Sequence, residues 1–158
     1  MIGRGRLTIH EHSHAGMAAA YTAGAARLPF GMLRGYVGTD LPGVNSQVRE
    51  VRCPYTNEKI ATVPAINPDV TVLHAQAADR QGNILIRGIV GAQKEAALAA
   101  TTLIVTVEEI VESLDAPMNA IVLPHWVVTA IAEVPTGAYP SYAHRLLRAR
   151  QRVLSGLG

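Results

Sequence analysis

The chain of 158 residues carries 14 Lys and Arg against 12 Asp and Glu, and is 49% apolar and 16% charged. That length suits one domain burying roughly 70% of its unfolded surface, and low charge with high apolar content excludes a disordered chain. The formal charge of +2 arises from Arg145, Arg148, Arg150 and Arg152; the remainder holds 10 basic against 12 acidic residues, or −2. With one Trp, five Tyr and one Phe, this body lacks the basic, aromatic surface that nucleic-acid binding needs. The terminal arginines read as the solvated side of a helix.

The single cysteine, Cys53, cannot form an internal disulfide, which fits a reducing cytoplasm. Arg4 and Arg6 are followed by no apolar stretch, so the start does not match a signal peptide. The longest run without charge, residues 116–132, is interrupted by Pro117, Asn119, Pro124 and His125. It falls short of the ~20 apolar residues of a membrane span, and solubility is expected.

In chain order, residues 6–10 read as a short strand. Met17, Ala20, Tyr21, Ala25 and Leu28 then recur at helical spacing, with Ser13 as N-cap and Pro29 as the stop. Residues 31–43 hold four glycines and Pro42 and predict a loop. Residues 60–65 read as a strand ended by Asn67-Pro68.

Residues 70–78 form a clearer strand, with Val70, Val72, His74 and Gln76 facing one way. Asp79 to Asn83 is a turn, and Ile84-Leu85-Ile86 returns as the second arm of a hairpin. Alanine-rich residues 93–100 predict a helix. The unbroken apolar runs 103–107 and 120–123 suit strands covered on both faces. Ser141 can cap a last helix striped by Tyr142, Leu146, Ala149 and Val153. No repeat or linker is visible. The alternation predicts a single α/β domain: a mainly parallel open sheet with flanking helices and one hairpin.

Several clusters invite chemistry. His10, His12 and His14 would share a face of a strand, and three imidazoles can hold zinc with an open fourth position. The passage from strand to helix at this point would splay them, so no metal is expected. The run Gly35-Tyr36-Val37-Gly38-Thr39-Asp40 could bring backbone N–H groups against a phosphate or carboxylate, but it is no nucleotide-binding motif. Cys53 before Pro54 would be a nucleophile only beside a base, and reads instead as a lone structural or exposed thiol. Glu108-Glu109 follows an apolar strand, where α/β folds place acid–base groups; alternatively both open a helical turn and favour its positive end. His74 and His125 have apolar neighbours and read as core or subunit-contact residues.

Residues 67–83, NPDVTVLHAQAADRQGN, and 99–111, AATTLIVTVEEIV, resemble the alpha subunit of the family I coenzyme A transferases. Further matches are Gly24-Ala25 with Leu28-Pro29-Phe30, the loop Arg34 to Leu41, and the run Cys53 to Lys59. Val134-Pro135, Gly137-Ala138 and Pro140-Ser141 complete the set. The likeness is closer to the glutaconate branch of the family than to the succinyl-CoA:3-oxoacid branch. It covers nearly the whole chain.

The resemblance implies the NagB/RpiA/CoA-transferase-like fold in incomplete form, lacking the N-terminal glycine-rich segment and first strands of the family domain. It also implies ping-pong transfer of CoA between an acyl-CoA thioester and a carboxylate. A glutamate attacks the thioester, passes through an anhydride and becomes a glutamyl-CoA thioester. In the family that glutamate lies on the beta subunit in a Glu-Asn-Gly-type motif. No such motif occurs here, so no catalytic residue is assigned to this chain, and Glu58, Glu95, Glu108 and Glu109 are not given the role.

The resemblance further implies a beta-subunit partner and a hetero- or homo-oligomer, with open strand edges inviting pairing. It implies no cofactor beyond the coenzyme A thioester as substrate. Gly35, Gly38 and Thr39 are the expected substrate-binding residues, forming one wall of the cleft against the acyl carboxylate. Two other readings stay open: a relative that hydrolyses CoA thioesters or cleaves rings, and a non-catalytic assembly module.

Overall fold

Ser13 opens the first helix, α1 (His14–Ala25), by accepting a hydrogen bond from Gly16 N at 3.2 Å. A computed structural model describes residues 9–140. The helix closes in the pattern expected of a left-handed C-terminal cap: Leu28 N donates to Ala23 O at 2.9 Å and Arg27 N to Gly24 O at 3.1 Å. Arg27 takes the left-handed position, φ 57, that glycine usually fills. That cap, not Pro29, ends the helix, and Leu28 falls outside it.

The chain divides into two units, the first ending at Asn67 and the second starting at Pro68. In the first, β1 (Phe30–Leu33) and β2 (Arg49–Arg52) flank β3 (Lys59–Pro64), and both pairings are antiparallel. A short helix, α2 (Leu41–Val44), lies between β1 and β2. Ala20, Tyr36, Val48, Ala61 and Val63 form the core. Small residues on α1 allow close packing: a Cβ on Gly31 would strike the Ala19 carbonyl. The expected loop over residues 31–43 is thus corrected at both ends, since Gly31 to Leu33 are strand and Leu41 starts α2. β1 alternates in burial but its buried position is Gly31, and β2 is exposed throughout, so hydropathy periodicity could not reveal them.

The second unit is built on a five-stranded sheet in the order β7-β5-β4-β6-β8. Its strands are β4 (Val70–Asp79), β5 (Ile84–Ile86), β6 (Thr102–Val111), β7 (Ile121–Leu123) and β8 (Ala130–Glu133). The α/β class holds, but parallel pairing is confined to β4-β6-β8, whereas β4-β5 and β5-β7 are antiparallel. The hairpin β4-β5 is as expected; β2-β3 is a second one. Helix α3 (Gln93–Ala99) packs on β4, with Thr71 Oγ1 donating to Ala96 O at 3.1 Å.

Leu103, Val105 and Val107 are buried with Ala75, Ile84, Ile86, Ala97 and Leu123, each large aliphatic side chain contributing about 1.5–3 kcal/mol. The alternate residues of β6, Ile104, Thr106 and Glu108, are only half-buried. The expectation of two covered faces is therefore corrected: β6 packs its apolar residues closely on one face, while the other carries Thr106 and Glu108 beside Ile104 and is only partly covered. β7 likewise buries only Leu123.

No helix among the described residues is long and apolar enough to cross a membrane. Ile9 and His10 belong to no strand, and the rest of the expected strand over 6–10 lies outside the described residues. So does the expected helix from Ser141, with the four terminal arginines.

Candidate active site

The glycine loop of the first unit hangs from one buried side chain. Tyr36 is 4% exposed, and its hydroxyl accepts from Ser13 N at 2.7 Å and Ser13 Oγ at 3.0 Å. Around it, Val37 N donates to Arg34 O at 3.0 Å and Thr39 N to Tyr36 O at 3.3 Å. Gly38 has φ +79, a conformation open to glycine, and a Cβ on Gly35 or Gly38 would meet nothing within 4 Å. Both glycines therefore present bare backbone to open space. Thr39 is exposed, but its hydroxyl donates to Tyr36 O at 2.9 Å, so its proton is engaged in holding the turn.

The same tyrosine fixes the histidine-rich entry to α1. His12 stacks on Tyr36 with ring centroids 6.4 Å apart. Buried Asn45 donates from Nδ2 to Glu11 O at 2.7 Å and lies 3.3 Å from His12 Nε2. His14 is already in the helix. The three histidines thus share no strand face, and no group of three metal-binding side chains converges among the described residues.

Cys53 sits half-buried in the turn between β2 and β3. The Thr56 hydroxyl, then the Tyr55 and Thr56 N–H groups, hold its thiol below the ordinary range. Beside it, Arg34 makes a two-pronged contact with Glu58, at 2.7 and 3.0 Å. This hydrogen bonding keeps the Glu58 carboxyl below its usual value. The pair joins the start of the glycine loop to the Cys53 turn.

In the second unit the structure assembles a group that the sequence did not bring together. His74 on β4 stands opposite Thr106 on β6 in the parallel register. Its Nδ1 lies 2.8 Å from Thr106 Oγ1, and its Nε2 lies 2.7 Å from Glu108 Oε1. Glu108 Oε2 accepts from Thr136 N at 2.7 Å. Both the His74 and Glu108 side chains are 17% exposed. The helical-turn reading of Glu108 and Glu109 is corrected, because both lie within β6. His74 is a polar partner of Glu108, not an apolar core residue. His125 is exposed at the head of a single 3-10 turn, which corrects its core reading. The available signal was period two: His74 and Glu108 both fall on the less buried side of their strands.

The motif Asp79 to Asn83 forms a closed turn, with Gly82 at φ +92. Asn83 Oδ1 also accepts from His125 N at 3.0 Å, tying the hairpin to the 3-10 turn.

A mixed α/β chain with this ordered set of turns matches the family model for Coenzyme A transferase over residues 2–134. The chain belongs to the coenzyme A transferase family. It is 59% identical over 138 residues to the A-type (alpha) subunit of 3-oxoadipate CoA-transferase from Pseudomonas knackmussii, covering 87% of this chain and 49% of that protein. The crystal structure of glutaconate coenzyme A-transferase from Acidaminococcus fermentans superimposes with a TM-score of 0.78 at 27% identity, covering 90% of this chain and 50% of that one. A decarboxylase structure gives 0.76 at 30% identity, over 99% of this chain and 60% of its own. The chain spans about half the length of most of the curated relatives it matches.

Proposed function

We propose that this chain serves as part of the alpha subunit of a CoA-transferase, working with a partner beta subunit. The observation that carries the reading is the 59% identity, over 87% of the chain, to the alpha subunit of a 3-oxoadipate CoA-transferase. The substrate class is accordingly a 3-oxo dicarboxylate and its CoA thioester. As the family resemblance implies, the nucleophile in this reading is a glutamate of the partner; the chain itself carries no Glu-Asn-Gly motif.

The partner's carboxylate oxygen attacks the thioester carbonyl carbon and expels CoA thiolate, leaving an acyl-glutamyl anhydride. The thiolate then attacks the glutamyl carbonyl, forming glutamyl-CoA and releasing the first acid as its carboxylate. The acceptor carboxylate reverses these steps and leaves as the new thioester. Gly35 and Gly38 offer bare backbone where an acyl group can approach closely, and Thr39 borders them. No metal or other cofactor enters.

The test is co-expression with the cognate beta subunit, followed by assay of CoA exchange between 3-oxoadipate and a panel of acyl-CoA donors. Borohydride reduction of the acyl-CoA-loaded complex should mark one glutamate of the partner and none of this chain. Absence of transfer for every donor, or marking of a residue in this chain, would overturn the reading.

A further inference from the structure

Thr136 is held at φ 64, a conformation that a β-branched residue adopts only when its surroundings impose it. It is the third residue of a turn closed by Gly137 N donating to Val134 O at 2.9 Å, with Pro135 at the second position. Turns of this kind ordinarily place Gly or Asn where Thr136 stands. The force opposing the strain is visible. Glu108 accepts the Thr136 N–H at 2.7 Å through one oxygen while His74 holds the other oxygen at 2.7 Å.

The imidazole also forms the floor of the turn. A Cβ on Gly137 would lie 2.9 Å from His74 Cε1 and 3.1 Å from Nδ1. The ring is also held at Nδ1 by Thr106 Oγ1 at 2.8 Å. Val134 N, bonded to Val107 O at 2.8 Å, anchors the entrance of the turn to β6. The turn therefore leaves the carboxyl end of β8, beside the carboxyl half of β6, on the side of a parallel sheet where ligands usually bind.

We infer that His74 and Glu108 are positioning residues: they brace the 134–137 turn in a strained form that shapes the substrate side of the parallel strands. The two ring nitrogens and both carboxylate oxygens are each engaged within the protein, and the role assigned to them is to hold the turn. The catalytic consequence rests on the proposed CoA-transferase reading; the brace itself does not.

The brace is tested on the full chain by amide exchange at Gly137, whose N–H closes the turn. Glu108→Ala should speed that exchange on the order of tenfold or more. Glu108→Gln should keep it slow, because its amide oxygen still accepts from Thr136. Adding Thr136→Gly to Glu108→Ala should restore slow exchange, since glycine holds φ 64 without help. Unchanged exchange in Glu108→Ala, or no recovery in the double variant, overturns the brace. If Glu108→Ala does not fold, refolding by the added Thr136→Gly supports the brace and continued failure overturns it.

The positioning role is then read in the complex with the beta subunit. Glu108→Ala should lower kcat/KM about tenfold to a hundredfold, with Thr136→Gly recovering most of it. A turn that loosens without any change in kcat/KM overturns the role in catalysis. A wild-type complex with no CoA transfer at all overturns the proposed reaction and leaves the exchange result standing.

Discussion

Asp79 receives two hydrogen bonds from Asn83, one from the backbone N–H at Oδ1 and one from the side-chain amide at Oδ2, each 2.8 Å long. In return Asp79 N donates to Asn83 O at 3.0 Å, and Gly82 N closes the turn on Asp79 O at 3.0 Å. The Asp79 to Asn83 turn, part of the stretch that carries the family resemblance, is therefore a clamp on the β4-β5 hairpin. Burial pushes the Asp79 carboxyl up, but the Asn83 side chain and the Asn83, Gln81 and Gly82 N–H groups together outweigh it and hold it low. Because the folded value lies below the unfolded one of ~3.9, the stabilisation is complete above that pH. It is lost as pH falls through the folded value. Asp79→Ala should cost about 1–3 kcal/mol in urea unfolding at neutral pH, and the difference from wild type should shrink in acid. An equal difference at neutral pH and in strong acid would contradict the clamp.

Tyr36 and Gly16 make a comparable relationship in the first unit. A Cβ on Gly16 would fall on the Tyr36 hydroxyl, with the ring's Cζ 2.6 Å away. Tyr36 is buried and bonded to Ser13, so the ring cannot simply swing aside. Gly16→Ala should lose about 1–3 kcal/mol by overpacking despite alanine's better helix propensity. Gly35→Ala, where the space is open, should leave the urea midpoint nearly unchanged. Equal effects of the two substitutions would remove the close contact as an explanation.

The Cys53 thiol is held low chiefly by the Thr56 hydroxyl. Thr56→Ala should raise its pKa and slow alkylation by iodoacetamide at neutral pH by a factor of a few, following the thiolate fraction. The rate plotted against pH should shift upward without a change in its plateau. A curve unmoved by the substitution would assign the shift to the backbone donors instead.

These contacts mark what the sequence could and could not reveal. Ser13 as an N-cap, the β4-β5 hairpin, α3 and β6 were legible because each rests on local chemistry: a capping hydroxyl, a turn motif, an alanine run, an apolar run. β1 and β2 were not, since Gly31 is buried for want of a side chain and β2 is exposed along its length. Arg27 ended α1 from a position where glycine would have been the readable signal. The glycine loop was legible as a loop, but its suspension from Tyr36 depends on a contact 23 residues away with Ser13. The same limit hid His74 and Glu108, 34 residues apart, which only the parallel register brings together. Long-range pairing sets these sites, and no spacing rule encodes it.

Thr39 gives the most direct way to ask whether the glycine loop meets substrate. Its side chain is exposed, and its hydroxyl serves the turn by donating to Tyr36 O at 2.9 Å and accepting from Leu41 N at 3.4 Å. Thr39→Ser keeps both bonds and should leave both stability and kinetics of the complex with the beta subunit near wild type. Thr39→Val loses the bonds while keeping the shape, and so reports on the turn alone. Thr39→Trp adds bulk over the open backbone of Gly38 and should raise KM for the acyl substrate on the order of tenfold, beyond any change seen with Thr39→Val. Because uniform loss of binding raises KM and spares kcat, a fall confined to kcat would place the effect elsewhere. Unchanged kinetics in Thr39→Trp would remove this loop from the substrate wall.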